Sequence, residues 1–136
     1  MNILLTNDDG PESPLLPFSI ERLSAFGDVT VVVPHREQSW TGKAMSRFEA
    51  LTSATVMIGG VKARTVDGKP VDCVNLALYN ICSRMPDLVV AGINMGANAG
   101  IGFILSSGTV GACLESNIAG VPAIAVSQLL KAEHYR

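Results

Sequence analysis

The sequence predicts an α/β fold, a doubly wound and mostly parallel sheet covered by helices, and three observations lead there. Four short runs rich in Val, Ile and Leu recur along the chain, at residues 3–5, 28–33, 87–91 and 123–127. Unbroken apolar runs of this kind, bounded by Gly, Pro or Asp, fit central strands buried on both faces, and the lengths between them suit crossover helices. Hydrophobic residues make up 48% and charged residues 16% of the 136 residues, a balance that suits one domain with a substantial core. Three polar clusters also fall directly after strands, where the loops of a parallel sheet share one rim.

The first run ends in Thr6-Asn7-Asp8-Asp9-Gly10, setting two adjacent carboxylates where a strand turns into a loop. Residues 17–26 alternate at helical spacing, with Phe18, Leu23 and Phe26 as core contacts and Gly27 as the C-cap of a first crossover helix. After the second strand, residues 51–66 change period: β-branched alternation over 52–58, a Gly59-Gly60 turn and a second run over 61–66 predict an antiparallel hairpin at the sheet's edge. Residues 71–81 then place Val74, Leu78 and Ile81 on one helical face, with Val71 and Cys82 beside it. A last helix is expected over 109–118, closed by Gly120 before Val121-Pro122 leads into the final strand.

Charge and composition exclude several classes. A formal net charge of −2 offers no basic stripe for a nucleic-acid duplex. No apolar run approaches the roughly eighteen residues of a membrane span, and the N-terminus lacks the basic and small-residue pattern of a signal peptide, so a cytoplasmic protein is expected. Cys73, Cys82 and Cys113 form no C-x-x-C pair and lie in apolar surroundings, which predicts buried free thiols. The last residues, Lys131-Ala132-Glu133-His134-Tyr135-Arg136, follow a strand-like run without a stop signal, as expected of a piece of a longer protein.

The chemistry concentrates in the loops after the first three strands. Asp8 and Asp9 repel each other, a cost that a hard divalent cation offsets best; the same residues also make an ordinary Asn-Asp-Asp-Gly turn. Ser39 in the second loop and Asn94 in the third add neutral oxygens of the kind magnesium or manganese accepts. Residues 92–100 read as a glycine-rich loop whose backbone can approach a ligand, with Asn94 and Asn98 aimed into the space, although they match neither a Walker A nor a dinucleotide fingerprint. Ser106-Ser107-Gly108-Thr109 precedes the last helix, as a cap, an anion site or both. His35 reads as an exposed strand-end residue, Arg36 and Lys43 as surface charges unless they face a phosphate, and Trp40 as either a stacking surface or a cover for the core edge.

Together the motifs resemble the survival protein SurE family of metal-dependent nucleotide phosphatases. The matching pieces are Asn7-Asp8-Asp9-Gly10, Arg36-Glu37-Gln38-Ser39, Pro70-Val71-Asp72-Cys73-Val74, Gly92-Ile93-Asn94-Met95-Gly96-Ala97-Asn98, Ser107-Gly108-Thr109-Val110-Gly111-Ala112 and Gly120-Val121-Pro122-Ala123-Ile124-Ala125-Val126-Ser127. The resemblance implies a three-layer Rossmann-like core and hydrolysis of nucleoside monophosphates to nucleoside and phosphate, with acid phosphatase and 5′/3′-nucleotidase activity. It implies one divalent metal ion per subunit, Mg2+ or Mn2+, held by Asp8, Asp9, Ser39 and Asn94, with Asp8 and Asp9 catalytic. It implies a phosphate cradle of Asn98, Ser107, Gly108 and Thr109, and a homodimer or higher homo-oligomer. Residues 1–136 would then be the α/β phosphatase core without the C-terminal half of the family fold, which leaves a nucleotide- or phosphate-binding module without turnover as the alternative. Departures from the family pattern fall at Leu15 and Trp40, where glycine is common, and over residues 101–106. A haloacid-dehalogenase-type phosphatase fits less well, since its aspartates stand one residue apart, and a dehydrogenase lacks its glycine fingerprint.

Overall fold

In the computed structural model, which describes residues 1–129, eleven consecutive elements build one sheet with helices on both faces. They are β1 (Asn2–Thr6), α1 (Leu15–Ser24), β2 (Asp28–Pro34), β3 (Ser53–Ile58), β4 (Val61–Val66), α2 (Pro70–Leu76) with a π-helical turn (Ala77–Ile81), β5 (Leu88–Met95), α3 (Ile101–Ser106), α4 (Gly108–Ile118) and β6 (Ala123–Gln128). The strand order is β3-β4-β2-β1-β5-β6; every neighbouring pair is parallel except the β3–β4 hairpin at the edge. The chain steps outward from β1 to β2 and the hairpin, then α2 carries it back across β1 to β5. The order therefore reverses at β1, and the crevice beyond the carboxyl ends of β1 and β5 is where ligands of open α/β sheets bind.

Alternation along the strands divides the core. Leu4, Val32, Val66 and Val89 face one side and pack against Cys73, Val74, Ala77 and Leu78 of the α2 segment and Ala112 and Cys113 of α4. Ile3, Leu5, Val31 and Val33 face the other, where Leu16 and Ile20 of α1 cover them. Because both faces are covered, the central strands show no polar alternation, as the continuous apolar runs imply. All three cysteines are free, with Cys73 and Cys113 buried and Cys82 half-buried.

Four expectations are corrected. The buried stripe of α1 is Leu16, Ile20 and partly Leu23, spaced four and three residues apart, while Phe18 and Phe26 face solvent and Phe18 lies under the Arg22 guanidinium at 5.1 Å. Helical phase, not side-chain size, selected the inward face. The helix ends at Ala25, and Gly27 is instead pressed against the start of the chain, where a Cβ would stand 1.9 Å from the Met1 carbonyl oxygen. The α2 helix does not run unbroken to residue 81, since its last turn widens to π geometry. The span 92–100 is only partly a loop: β5 continues to Met95, with a register shift against β6 between Ala91 and Asn94, and α3 follows. The helix α3 has only six residues, too few to show a helical period, and its Ile101, Phe103, Ile104 and Leu105 are all exposed. Lys131 to Arg136, including His134, lie outside the described residues.

Candidate functional site

The turn after β1 is both a structural turn and the start of a site. Asn7, fully buried, closes it by donating from Nδ2 to the Gly10 carbonyl at 2.9 Å and accepting the Gly10 N–H at 3.1 Å. Asp8 and Asp9 then diverge. The Asp8 carboxylate accepts the Thr109 hydroxyl of α4 at 2.8 Å, and its main-chain carbonyl accepts the Gln38 N–H at 2.7 Å, tying the first loop to the second. The Asp9 carboxylate accepts the Met95 N–H at the end of β5 at 3.1 Å.

Neither carboxylate has a basic partner: among the described residues the ion pair is Lys43–Glu115, on another part of the loop. Burial raises the pKa of Asp8, opposed by the Thr109 hydrogen bonds, and the charge of Glu37 adds to the rise. Burial pushes Asp9 up to about 6, opposed by the Met95 N–H and reinforced by the charges of Asp8 and Glu37. Two desolvated carboxylates with no cation beside them are in the situation that a bound metal ion relieves.

A cavity of about 330 Å³ opens at this rim. Asp8, Ser39, Asn94, Asn98 and Ser107 all line it, so loops after β1, β2 and β5 and the start of α4 contribute to one space. Asn94 sits in the strand end, its Nδ2 donating to the Gly96 carbonyl at 2.7 Å, which turns its Oδ1 away from that bond as an oxygen donor. The Ser39 hydroxyl donates to Glu37 at 2.5 Å, and Asn98 Nδ2 donates to the Ser127 hydroxyl at 2.8 Å. Asp9 does not line the cavity; its carboxylate is bound to the N–H of Met95, which does. The Asp8 carboxylate, the Ser39 hydroxyl and the Asn94 amide on this cavity offer oxygens of the kind a hard divalent cation accepts. Among the described residues no trio of His, Cys, Asp or Glu forms an alternative metal cluster.

Two residues of the expected phosphate cradle, Gly108 and Thr109, pack against Asp8. Thr109 is fully buried and its hydroxyl is committed to Asp8. Gly108 lies directly over Asp8, where a Cβ would come within 3.0 Å of the Asp8 Cβ. The start of α4 thus already faces an anion, the Asp8 carboxylate, while Ser107 caps the helix by accepting the Val110 N–H at 3.2 Å. Arg36 lines a separate depression with Gln38 and Lys69, and His35 is exposed away from the cavity.

Residues that sequence reading passed over hold the Ser39 loop in place. Glu115, buried on α4, accepts from Lys43 Nζ at 2.6 Å and Asn75 Nδ2 at 2.9 Å. Asp72, also buried, accepts from the Ser46 N–H and hydroxyl and from the Lys69 N–H. Gly42 donates its N–H to the Ser106 carbonyl at 2.8 Å, and Gly111 has no Cβ to obstruct it: one would stand 2.1 Å from the Gly42 oxygen. The one charged residue of a helix, as Glu115 is in α4, was the available signal for such an anchor.

Comparison with known proteins bears on the whole chain. A family model described as "Survival protein SurE" matches residues 3–136. A protein named 5′-nucleotidase SurE from Citrifermentans bemidjiense is 44% identical over 137 residues, covering 99% of this chain and 54% of the relative. One of the same name from Methanocorpusculum labreanum is 50% identical over 125 residues, covering 92% of this chain and 47% of the relative. The crystal structure of the SurE protein from Aquifex aeolicus superposes with a TM-score of 0.85 at 38% identity, covering 97% of this chain and 52% of that one. The chain therefore spans about half the length of the curated relatives it matches.

Proposed function

The chain belongs to the survival protein SurE family, and from that premise we propose that it is a divalent-metal-dependent phosphomonoesterase that hydrolyses nucleoside monophosphates to nucleoside and phosphate. The observation that carries this reading is the convergence of Asp8, Ser39 and Asn94 on one cavity, with Asp9 next to Asp8 in the chain and bound to the N–H of Met95, another lining residue. These four residues would hold Mg2+ or Mn2+, which when bound supplies Lewis-acid neutralisation of a phosphoryl oxygen. Asn98 and Ser107 line the same cavity and offer donors to the remaining phosphoryl oxygens. Asp8 lies against the N-terminus of α4 and accepts from Thr109, a setting that opposes the rise burial imposes on its pKa and suits a nucleophile or general base. Asp9, held by the Met95 N–H, is the fixed ligand.

The reading includes a cytoplasmic setting and self-association. Among the described residues no helix is long and apolar enough to cross a membrane. Among the described residues β6 is an edge strand of the sheet, with Ile124 exposed.

The test is phosphate release from a nucleoside monophosphate in the presence of manganese. Release that a chelator abolishes, and that Asp8→Asn abolishes without loss of the folded circular-dichroism signal, is expected. A fully active Asp8→Asn variant would overturn the assignment. A nucleotide- or phosphate-binding module without turnover is the second reading; it predicts cation-dependent nucleotide binding with no phosphate released.

A further inference from the structure

The cavity lining is of two kinds. Asp8, Ser39 and Asn94 make it polar, and it also includes two aromatic residues, Trp40 and Phe103. Their ring centroids are 5.6 Å apart with the planes tilted by 50°. Both are held out rather than in: Trp40 is 70% exposed and Phe103 53% exposed. An indole that covers so little of the core is not a lid for it. The backbone adds a second observation, since Trp40 is the one non-glycine residue with positive φ among those described, at 62°. A bulky aromatic is disfavoured in the left-handed region, and such strain persists where the surrounding structure enforces a side-chain direction. Here that direction brings the ring to the cavity, on the residue next to Ser39.

We propose that Trp40, supported by Phe103, is a stacking wall for the nucleobase of the substrate, and that it makes this site select nucleotides over phosphate esters that carry no base. The inference rests on the nucleotidase reading above and adds the part of the substrate that the polar residues do not read. Every base offers a π-face, so an aromatic wall of this kind discriminates base from no base more strongly than one base from another.

The chain contains a single tryptophan, so its fluorescence reports on this position alone. The 136-residue chain is titrated in magnesium with adenosine monophosphate and with ribose 5-phosphate, following tryptophan emission, and the affinities are measured by calorimetry. The expected result is saturable quenching by adenosine monophosphate, little change with ribose 5-phosphate, and an affinity ratio of about tenfold or more in favour of the nucleotide. Trp40→Gly, which accepts the positive φ without strain, should bring that ratio close to one, and Trp40→Phe should restore most of it. Equal affinities in the unaltered chain, or an unchanged ratio in Trp40→Gly, would overturn the stacking wall while leaving the phosphate site standing. Failure of both ligands to bind in magnesium would overturn the nucleotidase reading itself, and the wall with it.

Discussion

Replacing Thr109 by Val tests the link between α4 and the acidic turn with almost no change of shape. The Thr109 side chain is fully buried and its hydroxyl donates to Asp8 at 2.8 Å. A hydrogen bond to a charged group contributes about 1.5–3 kcal/mol, so a loss of about 2 kcal/mol is expected wherever Asp8 is ionised. The pH dependence carries the argument. Burial already raises the pKa of Asp8, and the Thr109 hydroxyl opposes that rise by favouring the anion. Without it the folded-state pKa moves further above the unfolded value of 3.8, so the penalty is full at alkaline pH and fades as the pH falls through the folded-state value. Urea unfolding of Thr109→Val in a chelating buffer should therefore show a larger deficit at pH 8 than at pH 4, near the unfolded value. Thr109→Ser keeps the hydroxyl and loses a methyl, a cost of about 1 kcal/mol with no pH dependence. If Thr109→Val behaves like Thr109→Ser, with one modest loss at both pH values, the hydroxyl does not sustain an ionised Asp8.

Gly111→Ala would drive a Cβ to 2.1 Å from the Gly42 carbonyl oxygen. Overpacking of this kind costs about 1–3 kcal/mol, of which better helix propensity returns about 1, so a lower melting temperature is expected together with weaker magnesium binding, read by thermal melts and calorimetry. Glu115→Gln weakens the anchor shared with Lys43 and Asn75; because Lys43 keeps a third of its side chain in solvent, a loss of about 1 kcal/mol in urea unfolding is expected, and none at all would remove the anchor from the account. Asp9, pushed up to about 6, penalises the cation-free fold above that pH, and the penalty disappears as the pH falls towards 3.8. In chelator, Asp9→Asn should accordingly melt higher than the unaltered protein at pH 8 and nearly equal to it at pH 4. The stabilisation that magnesium gives the unaltered protein should likewise be greater at pH 8 than at pH 5, where protons compete for the same oxygens.

The acidic turn shows how much of the site a sequence can carry. Asp8 and Asp9 were legible because a strand end followed by paired carboxylates is a local pattern, and the parallel sheet puts every such strand end on one rim. Ser39 and Asn94 were placed there by the same topology and meet Asp8 in one cavity. Thr109 was legible as part of a helix start but not in its task, because its partner is 101 residues away in the chain. Glu115 and Asp72 were passed over for a related reason: their partners, Lys43 and Ser46, lie in an irregular loop without a period to read. Phe18 and Phe26 misled because a strongly apolar side chain announces burial, whereas the phase of the helix decides it.

By itself the sequence determined the order of the elements apart from α3, the parallel sheet with its edge hairpin and the rim at which polar residues gather. These follow from periods of two and 3.6 residues and from runs of apolar side chains, which are properties of neighbours along the chain. Only the tertiary structure decided which oxygens share a cavity, which hydroxyl is spent on Asp8 and which aromatic rings stand at the opening. Those depend on distances between segments far apart in the chain, set by how α4 and the Ser39 loop pack over β1 and β5, and no local pattern encodes them.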